Sequence, residues 1–373
     1  MGDRLIKVRN YILEKKYKWI LKPIFFRCDP EKVQDSTLAL GHFWGEYAIT
    51  RKIASMLWNY SNPALYQSIL GLNFKNPIGL AAGFDKNADL TKIIPSIGFG
   101  FMEVGSITAE ACVGNPKPRL WRLKKSSSLL VHYGLMNDGC EAIANRLKNK
   151  KFTIPVGISI AKTNCRETAQ TEKAIADYFK TYKIFTDTNI GDYFVVNISC
   201  PNAFGGQPFT DSLKLDTLLQ KIMSIPKKKP IFVKLSPDLS QTEIDAIINI
   251  ATKWKIDGFV CTNLTKNREN QNIKDENVSK LGGLSGKVVG NLSDELIRYV
   301  YQKTKGHFIL IGVGGIFSAE DAYRKIKAGA SLVQLITGMI FEGPQLISQI
   351  NLGLVKLLKA DGYKNISETI GTE

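Results

Sequence analysis

Residues of types that react with or bind polar ligands recur at one kind of place in this chain. In NISCPN (Asn197–Asn202) an apolar run, YFVV, breaks abruptly into an amide, a hydroxyl, a thiol, a proline and a second amide. Lys86, Ser106, Ser159, Lys162, Lys234, Thr262 and Asn263 likewise sit in or close after short apolar runs. A lone Asn or Ser at such a point is usually a satisfied polar group at a strand end. The coincidence across several runs instead implies one shared polar cavity. Two glycine-rich turns, IGVGGI (Ile311–Ile316) and LITGMIFEG (Leu335–Gly343), place Gly314, Gly315, Thr337 and Gly338 next to helix starts. Bare amides at a helix N-terminus cradle phosphate, so the pair implies a phosphorylated ligand, with flavin mononucleotide (FMN) among the candidates. Metal chemistry is not spelled out, because the six cysteines form no C-x-x-C pair and the three histidines stand far apart.

The elements that must carry these residues follow from the hydrophobic pattern. From NPIGLAAG onward, apolar runs alternate with amphipathic stretches: NPIGLAAG, FGFMEVGS, IPVGISI, YFVVNIS, PIFVKLS, GFVCTN, FILIGVGG and SLVQLIT. Continuous apolar strands separated by helices imply a parallel sheet covered on both faces. Eight such units predict an α/β fold, a (β/α)8 TIM barrel, whose polar set lies on loops leaving the strand C-termini. Two of these loops are long, Thr108–Ser128 after the second strand and Leu264–Asn291 after the sixth. Residues 1–70 read as a helical extension preceding a barrel of residues 71–373. Within it, DPEKVQDSTLALGHFWGEYAITRKIASML opens on Asp29 as N-cap with Pro30 at the first helical position.

At 373 residues and 44% hydrophobic content, the chain can build one large domain plus an accessory segment. The scattered cysteines imply reduced thiols in a reducing compartment. No apolar run approaches the roughly 18 to 20 residues of a membrane-spanning helix, and the N-terminus lacks a signal-peptide apolar region. The formal net charge is +16, and it is concentrated at the start. Met1–Arg27 carries Arg4, Lys7, Arg9, Lys15, Lys16, Lys18, Lys22 and Arg27 against Asp3 and Glu14, interleaved with Leu5, Ile6, Val8, Ile12, Leu13, Trp19, Ile20, Leu21, Ile24, Phe25 and Phe26. That is the composition of a helix lying in a lipid interface, and equally that of a solvated helix covering the core. Nucleic acid is not expected, since no RNP, zinc-finger or helix-turn-helix signature accompanies the charge.

The motifs DPEKV, NPIGLAAGFDKN, GFGFMEVGSIT, GNPKPRLWRL, NISCPN, VKLSPDLS, GGLSG, GVGGI and AGASLVQLITG together resemble the dihydroorotate dehydrogenase family, in its membrane-associated, quinone-dependent class. The resemblance runs from about Lys22 to about Leu358. It implies FMN held by Ala82, Gly83, Ser106, Ser159, Asn197, Lys234, Thr262, Gly286, Gly314, Gly315, Thr337 and Gly338. It implies dihydroorotate and orotate held by Lys86, Asn197, Asn202 and Asn263. Cys200 falls where the family keeps its catalytic base, which removes the C5 proton while hydride leaves C6 for the flavin. The N-terminal helices match the quinone-tunnel and membrane-docking segment, which favours the lipid reading and an anionic membrane surface as partner. The implied location is peripheral, at the cytoplasmic face of a bacterial inner membrane or, alternatively, at the mitochondrial inner membrane.

The chain also departs from that pattern. Membrane-class members usually carry serine as the base, and cysteine is typical of the soluble class. A thiol, with a reference pKa near 8.5, ionises far more readily than a hydroxyl, so the exchange preserves the chemistry. Val131 and Leu264 stand where the family has an asparagine and a threonine that hydrogen-bond the pyrimidine. Two other readings therefore stay open: an FMN-dependent dehydrogenase of another dihydropyrimidine, and a flavin-binding relative without catalysis.

Overall fold

The computed structural model describes residues 2–373. Eight strands form its centre: β1 (Ile78–Leu80), β2 (Phe101–Ile107), β3 (Val156–Ile160), β4 (Tyr193–Asn197), β5 (Ile231–Leu235), β6 (Gly258–Cys261), β7 (Ile309–Val313) and β8 (Leu332–Leu335). Each lies parallel to the next, and β8 returns to β1 through the pairs Val333–Ile78 and Leu335–Leu80. The ring is closed and has no free edge. Every apolar run singled out in the sequence supplies one strand. Between them lie the covering helices, including Thr171–Asp187, Gln241–Lys253, Gly290–Thr304 and Leu346–Ala360. Gln241–Lys253 shows why they form: Ser240 and Glu243 make a reciprocal capping box, and Ile244, Ile247, Ile248 and Ala251 bury one face at helical spacing.

Inside the ring the two-residue period of a strand sorts the side chains by height. Phe101, Tyr193, Val195, Phe232, Val260, Ile311 and Leu332 form an apolar layer with Phe74. Phe74 belongs to a hairpin, Gln67–Ile69 with Leu72–Phe74, that plugs the N-terminal end of the barrel and meets Phe101 edge-on at 5.5 Å. Two residues further along the same strands come Glu103, Asn197, Lys234, Thr262, Val313 and Gln334. The alternation that fills the bottom with hydrocarbon thus presents a mostly polar layer above it. Between β2 and β3 the register slips from Val104 to Ile107, a bulge that sets Ser106 at the mouth.

Three features differ from the sequence expectation. The stretch from Asp29 is not one helix, although Asp29 caps it as expected by accepting from the Lys32 amide at 2.9 Å. It divides into Pro30–Glu46 and Ala48–Trp58 at Tyr47, whose backbone is extended (φ −101°, ψ 135°). The Thr50 hydroxyl holds the corner through the Trp44 carbonyl at 2.5 Å and the Tyr47 carbonyl at 2.8 Å. The basic N-terminus stays helical from Asp3 to Phe25 as expected, but widens to a π segment at Tyr17–Leu21 between Asp3–Lys16 and one turn at Lys22–Phe25. Finally, the two long loops are not separate. Leu120–Leu123, Ser128–Val131 and Gly283–Gly286 build a three-stranded antiparallel sheet across the mouth.

A buried ion pair ties the helical extension to that sheet. Arg119 donates to Glu31 at 2.7 Å, with both side chains almost fully buried and Lys117 at 3.2 Å from the same carboxylate. Burial by itself raises the Glu31 carboxyl, but hydrogen bonds from Arg119 and Lys117 outweigh it and hold the group below its ordinary value. Removing one partner of such a pair strands a buried charge. Arg119→Met is therefore expected to cost about 3 kcal/mol in chemical unfolding at neutral pH, the lower end of the usual range because Lys117 remains. A depressed carboxyl contributes stability above its unfolded pKa and loses it as pH falls through the folded value. The difference between wild type and variant should accordingly shrink in acid, read from unfolding midpoints at pH about 7 and about 3.

Candidate active site

The barrel's C-terminal mouth holds a cavity of about 1280 Å³, measured out to its opening. Cys200, Lys86, Asn197, Asn202 and Asn263 line it, as do Ala82, Gly83, Ser106, Lys234, Thr262, Gly286, Gly314, Gly315, Thr337 and Gly338. Ser159 is the exception among the expected residues. In β3 it is registered beside Val195, one step deeper than the mouth, and it reaches the site only through Ser106, oxygen to oxygen at 2.8 Å. Lys162, expected at the same rim, turns to the far side of Cys200. Gln34, Tyr133, Ser285 and Gln334 line the cavity without having been singled out. Counting by twos from Leu332 along β8 finds Gln334. Gln34 comes from the helical extension, and its Oε1 accepts from the Tyr133 hydroxyl at 2.7 Å.

The amides are fixed by one another. Asn197 Nδ2 donates to Ser106 Oγ at 2.8 Å, and Asn197 Oδ1 accepts from Ser199 Oγ at 3.0 Å. Asn263 Nδ2 reaches the Ser199 carbonyl at 3.0 Å, while its Oδ1 accepts from the Leu264 amide at 2.9 Å. Asn202 Nδ2 donates to the Val131 carbonyl at 2.9 Å. At both departures from the family pattern, Val131 and Leu264, main-chain groups are what engage the neighbouring asparagines.

Charge in the cavity is cationic. Burial lowers Lys86 to about 8, with Asp35, Glu31 and Asp85 opposing that fall and Arg119 adding to it. Its ammonium stands 4.1 Å from the centre of the Tyr133 ring. On the floor, burial lowers Lys234, and it raises Glu103, which accepts from Gln334 at 2.8 Å. Burial also pushes the Cys200 thiol up, against the pull of the Asn202 amide, Lys162 and Lys234. An anionic ligand would favour the charged forms of Lys86 and Lys234, so the site is chemically matched to an anionic group.

On the β7–β8 side three turns meet backbone to backbone. A Cβ on Gly315 (φ +71°) would lie 2.4 Å from Gly290 Cα, and one on Gly286 would lie 2.6 Å from the Ser127 carbonyl oxygen. Only glycine permits this approach. Fold and site together define a (β/α)8 barrel with closely packed glycine turns at strands seven and eight and a polar, thiol-bearing wall at strand four.

The comparisons narrow that class. The family model for dihydroorotate dehydrogenase matches residues 64–358. Dihydroorotate dehydrogenase (quinone) of Trichodesmium erythraeum is 38% identical over 95% of this chain and 98% of its own length. That of Christiangramia forsetii is 41% identical over 90% and 97%. The ligand-free DHODH of Eimeria tenella superposes with a TM-score of 0.82 at 30% identity, covering 92% of this chain and 99% of its own. The chain belongs to the dihydroorotate dehydrogenase family.

Membership implies a flavin cofactor, and the residues present fit one. The glycine turns leave room for a phosphate, Lys234 supplies a buried cation, and the Gln334 and Glu103 Oε1 atoms lack donors among the described residues. Gly315→Ala is expected to lower the flavin bound per chain, measured by visible absorbance of purified protein. Gly71→Ala, at φ +78° with nothing within 4 Å, imposes the same backbone strain away from the cavity and should leave flavin content unchanged.

Proposed function

We propose that this protein oxidises dihydroorotate to orotate and delivers the electrons to a quinone. The observation that carries the reading is the wall opposite the phosphate cradle, where Cys200 shares one cavity with Lys86, Asn197, Asn202 and Asn263. Strand β4 stands across the ring from β8, so a ligand between them meets the thiol on one side and the cradle on the other. Lys86 takes the substrate carboxylate, and the three asparagines orient the ring carbonyls and nitrogens. The Cys200 thiolate then accepts the C5 proton as hydride leaves C6. The cofactor is FMN, since the chain has one phosphate cradle and no dinucleotide fingerprint; when bound it supplies the hydride acceptor and the route for electrons to the quinone.

The N-terminal segment, residues 1–70, serves in this reading as the quinone-entry and membrane-docking unit. Trp19, Ile20 and Ile24, and on the helical hairpin Phe43, Ile49 and Met56, are exposed large apolar side chains beside the basic stretch. No helix among the described residues is long and apolar enough to cross a membrane, which supports peripheral contact with an anionic bilayer. Gln34 links this segment to the cavity wall. In this reading the location is the cytoplasmic face of a bacterial inner membrane, with the mitochondrial inner membrane as the alternative.

Anaerobic mixing with dihydroorotate should bleach the flavin in one phase. Cys200→Ala should retain flavin yet slow that phase by roughly 10²- to 10⁴-fold, the usual contribution of a positioned proton acceptor. Bleaching at the wild-type rate would remove Cys200 from the role. Because burial raises the thiol, the wild-type rate should climb as pH rises above neutral. Substrate affinity should weaken above about 8, where free Lys86 loses its proton. Trp19→Glu combined with Ile20→Glu should lower partition onto anionic vesicles by about tenfold or more, given ~1.5–3 kcal/mol for burying a large apolar side chain, and leave bleaching unchanged.

A further inference from the structure

Lys162 is buried on the side of Cys200 away from the ligand cavity. It follows β3, is 3% exposed, and donates to the Phe204 carbonyl at 2.6 Å. No carboxylate of the described residues forms an ion pair with it. An ammonium in this position is costly unless something compensates its charge. The nearest acid, Asp177, is already engaged, its Oδ1 accepting from the Ala109 amide at 3.1 Å and the Thr163 amide at 3.0 Å. Burial also raises the Asp177 carboxyl.

Cys200 borders two spaces. One is the ligand cavity; the other is a small void lined by Lys162, Tyr178, Ala203, Pro208 and Phe209. Cys200 therefore lies between the ligand cavity and the space that Lys162 lines. The loop that carries it is held by the same lysine, through the Phe204 carbonyl. We infer that Lys162 is a positioning residue for the base: it pins the Cys200 loop and supplies the cation that compensates the thiolate while substrate occupies the opposite side.

The other charged and titratable groups facing this pair are few. Lys234 approaches Cys200 from β5, and Tyr178 from the helix Thr171–Asp187. The Tyr178 hydroxyl is committed to the Asn197 carbonyl at 2.7 Å, and burial raises its pKa, so it offers no charge to the thiol. Cys165 and Asp177 face Lys162. Burial lowers Lys162, and Cys200 is the first of the groups opposing that fall. Lys162 and Lys234 are thus the two cations acting on the thiol, and Lys162 acts from the side that substrate leaves open.

The inference rests on Cys200 being the base, and its test separates the two ideas. Resting holoenzyme is alkylated with iodoacetamide across pH, and modification of the Cys200 peptide is followed by mass spectrometry. In Lys162→Met, which removes charge and hydrogen bond, the alkylation midpoint should rise by about one pH unit, a tenfold loss of thiolate below it. In Lys162→Gln, which keeps a donor for Phe204 but no charge, the midpoint should rise equally. Flavin reduction by dihydroorotate should fall by the same factor near neutrality in both variants and recover in alkali. An unmoved midpoint in flavin-loaded Lys162→Gln, or a loss of rate equal at every pH, overturns the inference and leaves Lys162 as a loop tether. Undiminished reduction in Cys200→Ala overturns the base assignment, whereas a shifted midpoint would still report the lysine acting on the thiol.

Discussion

Closure of eight parallel strands into one ring is the constraint on which the rest of this molecule depends. A parallel strand in a closed barrel has no edge to satisfy and no choice of face, so its side chains must alternate strictly between the helical shell and the interior. Phe232 and Lys234 illustrate the consequence: the same inward face of β5 carries an aromatic ring at the bottom and an ammonium two residues higher. Repeated around the ring, that step sets hydrocarbon beneath and polar groups above. The lower layer stabilises the barrel, and it also fixes the height at which Asn197, Lys234 and Gln334 present themselves.

Three buried lysines stand in the polar layer and around it. Lys86, Lys162 and Lys234 are all buried, and burial lowers each of them. Such groups weaken a fold unless an anion arrives or a neighbour ionises. A phosphate-bearing cofactor, a substrate carboxylate and a thiolate would each answer one of them. The buried lysines are therefore better explained by ligand chemistry than by stability, and they make the proton affinity of Cys200 depend on residues from β3 and β5 as well as on its own loop.

The mouth is completed by segments far apart in the chain. Residues Ser128–Val131 pair with Leu120–Leu123 on one side and Gly283–Gly286 on the other. Glu31, at the start of the helical hairpin, then clamps onto Arg119, the residue that leads into this sheet. The hairpin, the antiparallel sheet and the barrel loops consequently meet around one cavity, with Gln34 and Tyr133 at their junction.

The eight strands, the Asp29 cap and cavity residues such as Lys86, Asn197, Lys234 and Gly315 were legible in the sequence, because strand hydrophobicity, capping chemistry and glycine turns are local signals, whereas Gly286 was reached only through the family resemblance. Once a barrel is inferred, the polar residues that end each run have one place to go. Other features carried no such signal. The break at Tyr47 is held by a side chain three residues further on, and the mouth sheet joins strands of four residues across some 150 positions, so neither has a periodicity to read. Ser159 and Lys162 follow the same apolar run as candidate site residues, yet one lies a layer too deep and the other faces away. Sequence determined which residues could reach the mouth, since alternation and chain order set that much. Only the tertiary structure decided which of them face the ligand and which stand behind Cys200, because height and direction at a barrel rim depend on inter-strand register and on contacts between loops that the chain brings together from different strands.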